Sequence, residues 1–396
     1  MVIAIINDWF SENMGYAENY LPVSLSRLGA EIHVLTSDLQ VYATNIELYK
    51  RTYESFLGPP QVPTGEKKLN NFILHRLPHY ITNYGIGLEN LFHKLKDLKP
   101  HIVYLFEINL ETTLQIVEYQ SLLQYKIFTE SRLHLSIYTP PKTITAKIHN
   151  YLAQRPKWKK IGLHFEKCYP LAPDVLYVIC KYFGQDKNKC FLSSLGVDTD
   201  NFKPIQSEKQ KVDRQKLRRK LGYGENDIVC LYTGKFTKDK GTLILAQAIN
   251  YLHKIGKKHF NGLFVGSGDK YLENDIKSSF GCTIHPFVQS KELVKVYHAA
   301  DIGVWPKQES TSQLDAAACG LPIIISSNVE DTQRINGNGL SYSHEDPIDL
   351  ANKILSIEEV SLREELGKNG AEKIKQFYSW DYIAQQRMDD FKKALL

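Results

Sequence analysis

The 396-residue sequence has no run of 18 apolar residues, so no transmembrane helix is expected. Its first apolar stretch, residues 2–6, is too short for the apolar core of a signal peptide. Cysteine is sparse. Cys168, Cys180, Cys190, Cys230, Cys282 and Cys319 show no C-x-x-C spacing, which argues against a disulfide framework or a structural zinc site and for a reducing, cytoplasmic compartment. Neither sign of charge is in large excess. The net +5 permits an anionic ligand or a membrane surface without demanding either. The cations are dispersed and no nucleic-acid motif is present, so no nucleic-acid partner is expected. Gly266-Ser267-Gly268 lacks the third glycine and distant acid of a dinucleotide fingerprint, which makes it a weak sign of a nicotinamide cofactor.

What is present is a folded composition, 43% apolar and 23% charged, long enough for two or three domains with cores of their own. Residues 2–6 are apolar throughout rather than alternating, as in a strand buried on both faces of a parallel sheet. A glycine-containing loop to Gly15, a helix closing at Gly29 and a strand at 32–35 complete a βαβ unit. Pro22 implies that this helix starts late or kinks. Further strands are expected at 72–74, 101–106, 126–129 and 175–179, the last closing the first half. Residues 130–134 follow the strand at 126–129, and the carboxyl end of a strand is where open α/β sheets place ligands. Residues 155–160 set four cations around Trp158, either a solvated turn or a patch for anionic lipid headgroups. Residues 207–222 read as a basic helix with Arg214, Arg218 and Arg219 on a solvated face. The alternation then restarts. A strand at 228–233 leads into Gly234, Lys235, Lys240 and Gly241 ahead of a helix, which is either a phosphate site or a turn with surface lysines.

Residues 304–326 organise the second half: the end of a strand, a polar loop, a small-residue helix, a Gly-Leu-Pro break and another buried strand. Ser312 followed by Asp315 resembles a capping box, which would put Asp315 in the helix's first turn. Glu309 and Asp315 would then flank a helix N-terminus, a place suited to a ligand rich in hydroxyls and phosphates. Asp315 complementing the helix dipole, with Glu309 a solvated loop acid, is the plainer alternative.

The run Asp315-Ala316-Ala317-Ala318-Cys319-Gly320-Leu321-Pro322 resembles the signature of glycosyltransferase family 4, retaining nucleotide-sugar enzymes of the GT-B fold, with Asp where that family usually has Glu. The first half of the signature departs. Lys307, not an acid, stands eight positions before Asp315, Glu309 only six, and Ser310, Thr311 and Ser312 replace the usual glycines. The resemblance spans nearly the whole chain and is strongest over 234–326. It implies two doubly wound Rossmann-like α/β domains facing across a cleft: 1–200 on the acceptor side, 201–376 holding the donor, and a closing helix in 377–396 returning to the first domain. Asp198-Thr199-Asp200 then lies in a connector and is a decoy for a metal-binding pair.

The implied activity is transfer of a sugar from a nucleotide-diphosphate sugar to a hydroxyl of a glycan, a lipid-linked saccharide or a small molecule, as in polysaccharide biosynthesis. Retention is implied by the family alone. Lys235 and Lys240 would neutralise the leaving diphosphate in place of a metal, with no cofactor beyond the donor. Gly234 belongs to the same loop. Asp315 would accept hydrogen bonds from ribose hydroxyls. Glu309, or failing it the backbone of Ser310, Thr311 and Ser312, would contact the sugar. Phe287 and Val288 mark the nucleobase segment. Gly15 and His134, with Glu130 second to His134, would approach the anomeric carbon and the acceptor. A peripheral membrane contact fits lipid-linked acceptors. The alternatives are another GT-B enzyme, such as a sugar-nucleotide epimerase or a phosphorylase, and a donor-binding relative without transfer.

Overall fold

The computed structural model describes residues 1–12, 14–69, 71–135, 137–307, 310–329 and 332–396. The chain divides into two compact units, Met1–Leu195 together with Ile383–Leu396, and Gly196–Tyr382. None of the described helices is long and apolar enough to cross a membrane.

The first unit is built on strands β1 (Val2–Asn7), β2 (Glu31–Ser37), β3 (Gly65–Leu69), β4 (Phe72–Leu77), β7 (Ile102–Leu105), β8 (Lys126–Ser131) and β9 (Phe165–Pro170), with a separate hairpin, β5 (His79–Thr82) and β6 (Gly85–Leu88). Their order is β3-β4-β2-β1-β7-β8-β9, and only the pairing of β3 with β4 is antiparallel among these seven. Ile5 of β1 lies opposite Val34 of β2 on one side and Tyr104 of β7 on the other. Ile3, Ala4, Ile5 and Ile6 are all buried, because helices cover both faces of a central parallel strand. The later part of the helix Trp380–Ala394 belongs to this unit. The Phe391 ring meets Phe128 edge-on at 4.7 Å, and the Arg387 guanidinium lies 3.4 Å from the centre of the Tyr169 ring.

The second unit carries β10 (Ile228–Thr233), β11 (Phe260–Val265), β12 (Cys282–His285), β13 (Ile302–Trp305), β14 (Ile323–Ser326) and β15 (Gly339–Tyr342), all parallel, in the order β12-β11-β10-β13-β14-β15. Every residue of β10 is buried. In both sheets the chain winds outward from its first strand in one direction, then returns to that strand's other side and winds the opposite way. The points of reversal, between β1 and β7 and between β10 and β13, are where doubly wound sheets leave a crevice at their carboxyl ends.

Four sequence-based expectations are corrected or narrowed. Residues 175–179 are helical, within Pro173–Tyr182, and the last strand of the first sheet is β9. Pro173 and Asp174 open that helix, and Val175, Val178 and Ile179 are buried at i, i+3 and i+4, a helical rather than an extended period. Of the two readings of Pro22, a late start is excluded, since the helix Ala17–Arg27 begins ahead of it and carries Pro22 inside. Trp158 is neither in a turn nor on the surface. It sits in the helix Arg155–Gly162, 2% exposed, with its ring edge-on to Tyr84 at 5.5 Å. Arg218 is buried rather than solvated, and half-buried Arg214 joins it on Asp301, at 2.8 and 2.7 Å. Burial alone would raise the Asp301 carboxyl, but the two guanidiniums outweigh it and hold it below the usual range.

Strands β2 and β4 bring His33 and His75 together, Nδ1 to Nε2 at 2.9 Å. Burial first, then the nearby Lys94 charge, lower the His75 imidazole to about 4. The unfolded chain therefore takes up a proton near pH 6.5 that the folded chain refuses until about pH 4. The stabilisation is complete above pH 6.5 and lost as pH falls through that window, by up to about 3 kcal/mol. Urea unfolding at pH 7 and 4.5 should show this loss in the wild type and a smaller one in His75→Phe; equal losses would count against it.

Candidate active site

The reversal between β10 and β13 gathers the charged loops of the second unit. After β10 the chain passes Gly234, Lys235, a short helical turn Lys238–Lys240 and Gly241, then enters the helix Thr242–Lys254. This loop is held from beneath. Phe236 is fully buried, its N–H donates to Ser267 O at 3.0 Å, and Tyr232 Oη donates to Lys235 O at 2.9 Å. Lys235 is exposed and Lys240 half-buried. Burial lowers the Lys240 ammonium below its ordinary value, and Lys235 lowers it further against the opposing pull of Asp239. Lys240 stands one residue before Gly241, whose backbone is left-handed, and the N-terminus of the helix that follows, where free N–H groups and the helix dipole favour an anion.

Gly266 and Gly268, which sequence reading treated only as a weak nucleotide-binding turn, are what allow this loop to form. A Cβ on Gly266 would lie 2.0 Å from Gly234 O, and one on Gly268 would lie 2.1 Å from Phe236 O. Gly266 also has φ of +142°. Gly266→Ala should therefore displace the lysine loop and cost about 2 kcal/mol of stability. Unfolding at the wild-type midpoint would reject this reading.

Lys307 follows β13. A Cβ on Gly241 would lie 2.6 Å from Lys307 Cγ, so the Lys307 stem runs against the lysine loop, while its ammonium pairs with Glu345. The sequence registered Lys307 only as a departure at an acidic position; the fold lays its stem on Gly241 at the end of the lysine loop. Glu309 lies outside the described residues.

The helix Thr311–Ala318 is capped by Ser310, whose Oγ accepts from Ser312 N at 3.4 Å. The expected Ser312–Asp315 capping box is not formed. Ser312 Oγ is engaged elsewhere, accepting from Trp305 Nε1 at 3.0 Å and donating to Thr233 O at 3.3 Å, so it ties the helix to β13 and β10. Asp315 thus stands beyond the first turn. Burial, then the neighbouring Asp198, raise its carboxyl to about 8. Asp198 Oδ1 accepts from Asp200 N at 3.2 Å, in a turn. Thr311 is exposed, and Phe287 and Val288 follow β12, exposed and half-buried respectively. Gly234, Lys235, Lys240, Phe287, Val288, Ser310, Thr311, Ser312 and Asp315 all belong to segments that follow the carboxyl ends of one sheet's strands.

Gly15 and His134 belong to the first unit. Gly15 has φ of +72° in the loop after β1. His134 follows β8, half-buried, with Nδ1 3.1 Å from Asp174 Oδ1; the same carboxylate accepts from Leu135 N at 3.0 Å. Nδ1–H donating to Asp174 leaves Nε2 as the acceptor. Glu130 is occupied, taking Tyr104 Oη at 2.9 Å and Arg132 Nε at 2.9 Å. Two acids passed over in the sequence stand at this sheet's own reversal. Asp8 after β1 accepts from Thr112 Oγ1 at 2.7 Å, and Glu107 after β7 accepts from Arg132 N at 3.0 Å. Burial raises each to about 7. A cavity of about 1300 Å³ elsewhere in the second unit is lined by Lys203, Asp227, His298 and Asp301, and none of the lysine-loop residues line it.

Residues 227–359 match the family described as Glycosyl transferases group 1. An uncharacterized glycosyltransferase of Methanocaldococcus jannaschii is 27% identical over 232 residues, 55% of this chain and 57% of that protein, so the match spans little more than half the length of either. Among solved structures, a glycosyltransferase from Rickettsia africae gives a TM-score of 0.67 at 17% identity, covering 100% of this chain and 98% of that one. An Anabaena protein solved with UDP and glucose gives 0.64 at 15% identity, covering 98% and 99%. At these identities the structural likeness shows the fold alone.

Proposed function

With residues 227–359 a Glycosyl transferases group 1 domain and the fold that of the GT-B glycosyltransferases, we propose that this chain transfers a sugar from a nucleoside diphosphate sugar to a hydroxyl acceptor. The observation that carries the reading is the lysine loop: Lys235 and Lys240 ahead of a helix N-terminus, at the reversal of a parallel sheet. When the bond between sugar and diphosphate breaks, the diphosphate leaves with the electron pair, and cations fixed where that charge develops do the electrostatic work. The lysines take the place of a divalent metal here, and retention of configuration belongs to the same reading. Asp315 accepts from ribose hydroxyls, the segment at Phe287 and Val288 faces the nucleobase, and Ser310, Thr311 and Ser312 offer polar groups to the sugar. In the first unit, His134 and the Gly15 loop are assigned to the acceptor side. The Anabaena protein solved with UDP and glucose supports a nucleotide-sugar donor.

One observation favours a second reading, a donor-binding protein without turnover: Lys307 stands where the resemblance has an acid. Thermal-shift measurements in EDTA with UDP, GDP, ADP and their sugar conjugates test both. One nucleotide at 100 times its Kd should stabilise the protein by about 2.7 kcal/mol, and Lys240→Ala should reduce that stabilisation at the same nucleotide concentration. No shift with any of them overturns the donor reading. A shift without release of nucleotide diphosphate selects the second.

A further inference from the structure

Three successive helical stretches of the first unit, Ile144–His149, the π-helical turn Asn150–Gln154 and Arg155–Gly162, run on from one another, and the first two expose an apolar stripe. Two of the polar side chains, half-buried Asn150 and Arg155, turn to the protein instead. Asn150 Nδ2 donates to Tyr182 O at 3.2 Å, and Arg155 Nε donates to Lys181 O at 3.1 Å. The apolar stripe faces out. Ile144, Ile148, Tyr151 and Leu152, at i, i+4, i+7 and i+8, are between 53% and 75% exposed, and Ile137 just before them is 70% exposed. The arrangement is held at both ends. Buried Trp158 anchors the far end, and Tyr138 packs on Phe183, ring centres 5.3 Å apart, at the near end.

The charge of the segment is one-sided. From Ser131 to Phe165 the chain has seven Lys and Arg and no Asp or Glu, more positive charge than the net +5 of the whole protein. Lys142, Lys147, Lys159 and Lys160 have no acidic partner among the described residues, whereas surface lysines elsewhere, such as Lys67, Lys211 and Lys295, pair with nearby glutamates. Large exposed apolar side chains ringed by uncompensated cations match the boundary between the headgroups and acyl chains of an anionic bilayer. A second copy of this chain would bring the same positive face against itself.

We propose that residues 137–160 of the first unit form a docking surface for anionic lipid bilayers, with Ile144, Ile148, Tyr151 and Leu152 entering the apolar boundary and the flanking lysines contacting headgroups. This surface is independent of the donor site and relocates the lipid contact from Trp158, which is core, to the preceding two turns. The test is flotation of the full chain with vesicles of equimolar phosphatidylcholine and phosphatidylglycerol, against vesicles of phosphatidylcholine alone. The wild type should float with the anionic vesicles and at least about tenfold less with the neutral ones. Ile148→Ser with Leu152→Ser should lower anionic binding about tenfold, and Lys142→Glu with Lys147→Glu by a similar factor. All four positions are exposed, so the melting temperature and its response to UDP should stay at wild-type values, which separates loss of docking from loss of fold or of donor binding. No flotation of the wild type, or equal flotation of the Ile148/Leu152 variant, overturns the proposal. So does self-association without vesicle binding that the same variant abolishes, which would assign the surface to a second copy.

Discussion

Replacing Lys240 with alanine is expected to slow release of nucleoside diphosphate from the donor by about 10²–10³-fold, with a smaller loss in affinity for the nucleotide itself. The ground-state diphosphate already carries charge, so part of the lysine's attraction is felt before reaction and cancels from the rate. What remains is the extra charge that arrives with the breaking bond. It meets an ammonium that is half-buried and depressed by its surroundings, where solvent screens little. Lys235 is exposed, and its replacement should cost only about tenfold, since water and salt screen its field. Lys240→Arg keeps the charge and should recover part of the rate. Single-turnover measurement of nucleotide release in EDTA reads all three; a Lys240→Ala rate equal to wild type would remove the lysine loop from the chemistry.

The affinity for the matching nucleoside diphosphate should rise more than tenfold between pH 6 and 9, and Asp315→Asn should abolish most of that rise. Burial, and then Asp198, hold the empty site's Asp315 protonated up to about pH 8. A protonated carboxyl accepts from hydroxyls less well than a carboxylate. A ribose that donates to Asp315 favours the ionised form, so binding expels a proton and tightens as pH rises towards 8. The sign is opposite for the empty protein. The unfolded chain ionises near the ordinary carboxyl value, so the stability contributed by neutral Asp315 is complete below it and lost as pH rises through about 8. Because nucleotide phosphates also titrate near neutrality, the comparison with Asp315→Asn isolates the side chain. Calorimetry that finds the same pH dependence in both proteins would move the hydroxyl contacts away from Asp315.

Much of this was legible in the residues because it is local. Strands such as 2–6 and 228–233 announced themselves as unbroken apolar runs, and the lysines between Gly234 and Gly241 are adjacent to the helix that gives them meaning. The failures have a common cause. Residues 175–179 are β-branched and apolar enough to read as a strand, and only Pro173, Asp174 and burial on one face make them a helix. Ser312 has the right spacing to cap, but the Trp305 indole and the Thr233 carbonyl, 72 residues apart in sequence and joined by a hydrogen bond, claim its hydroxyl and leave the cap to Ser310. Trp158 among four cations read as part of a solvated turn or of a lipid-facing patch and is packed against Tyr84.

The sequence by itself determined the alternation of strand and helix, the two-sheet organisation and the place of Lys235 and Lys240 between a strand and the helix that follows it, since periodicity and loop composition are properties of short segments. Only the tertiary structure decided that Arg218 is neutralised by Asp301, that Gly266 must be glycine to clear Gly234, that Lys307 lies on Gly241, and that Ile148 and Leu152 face outward. Each of those depends on which distant segment strand order sets beside it, and whether a charge or an apolar side chain is satisfied is settled by that neighbour.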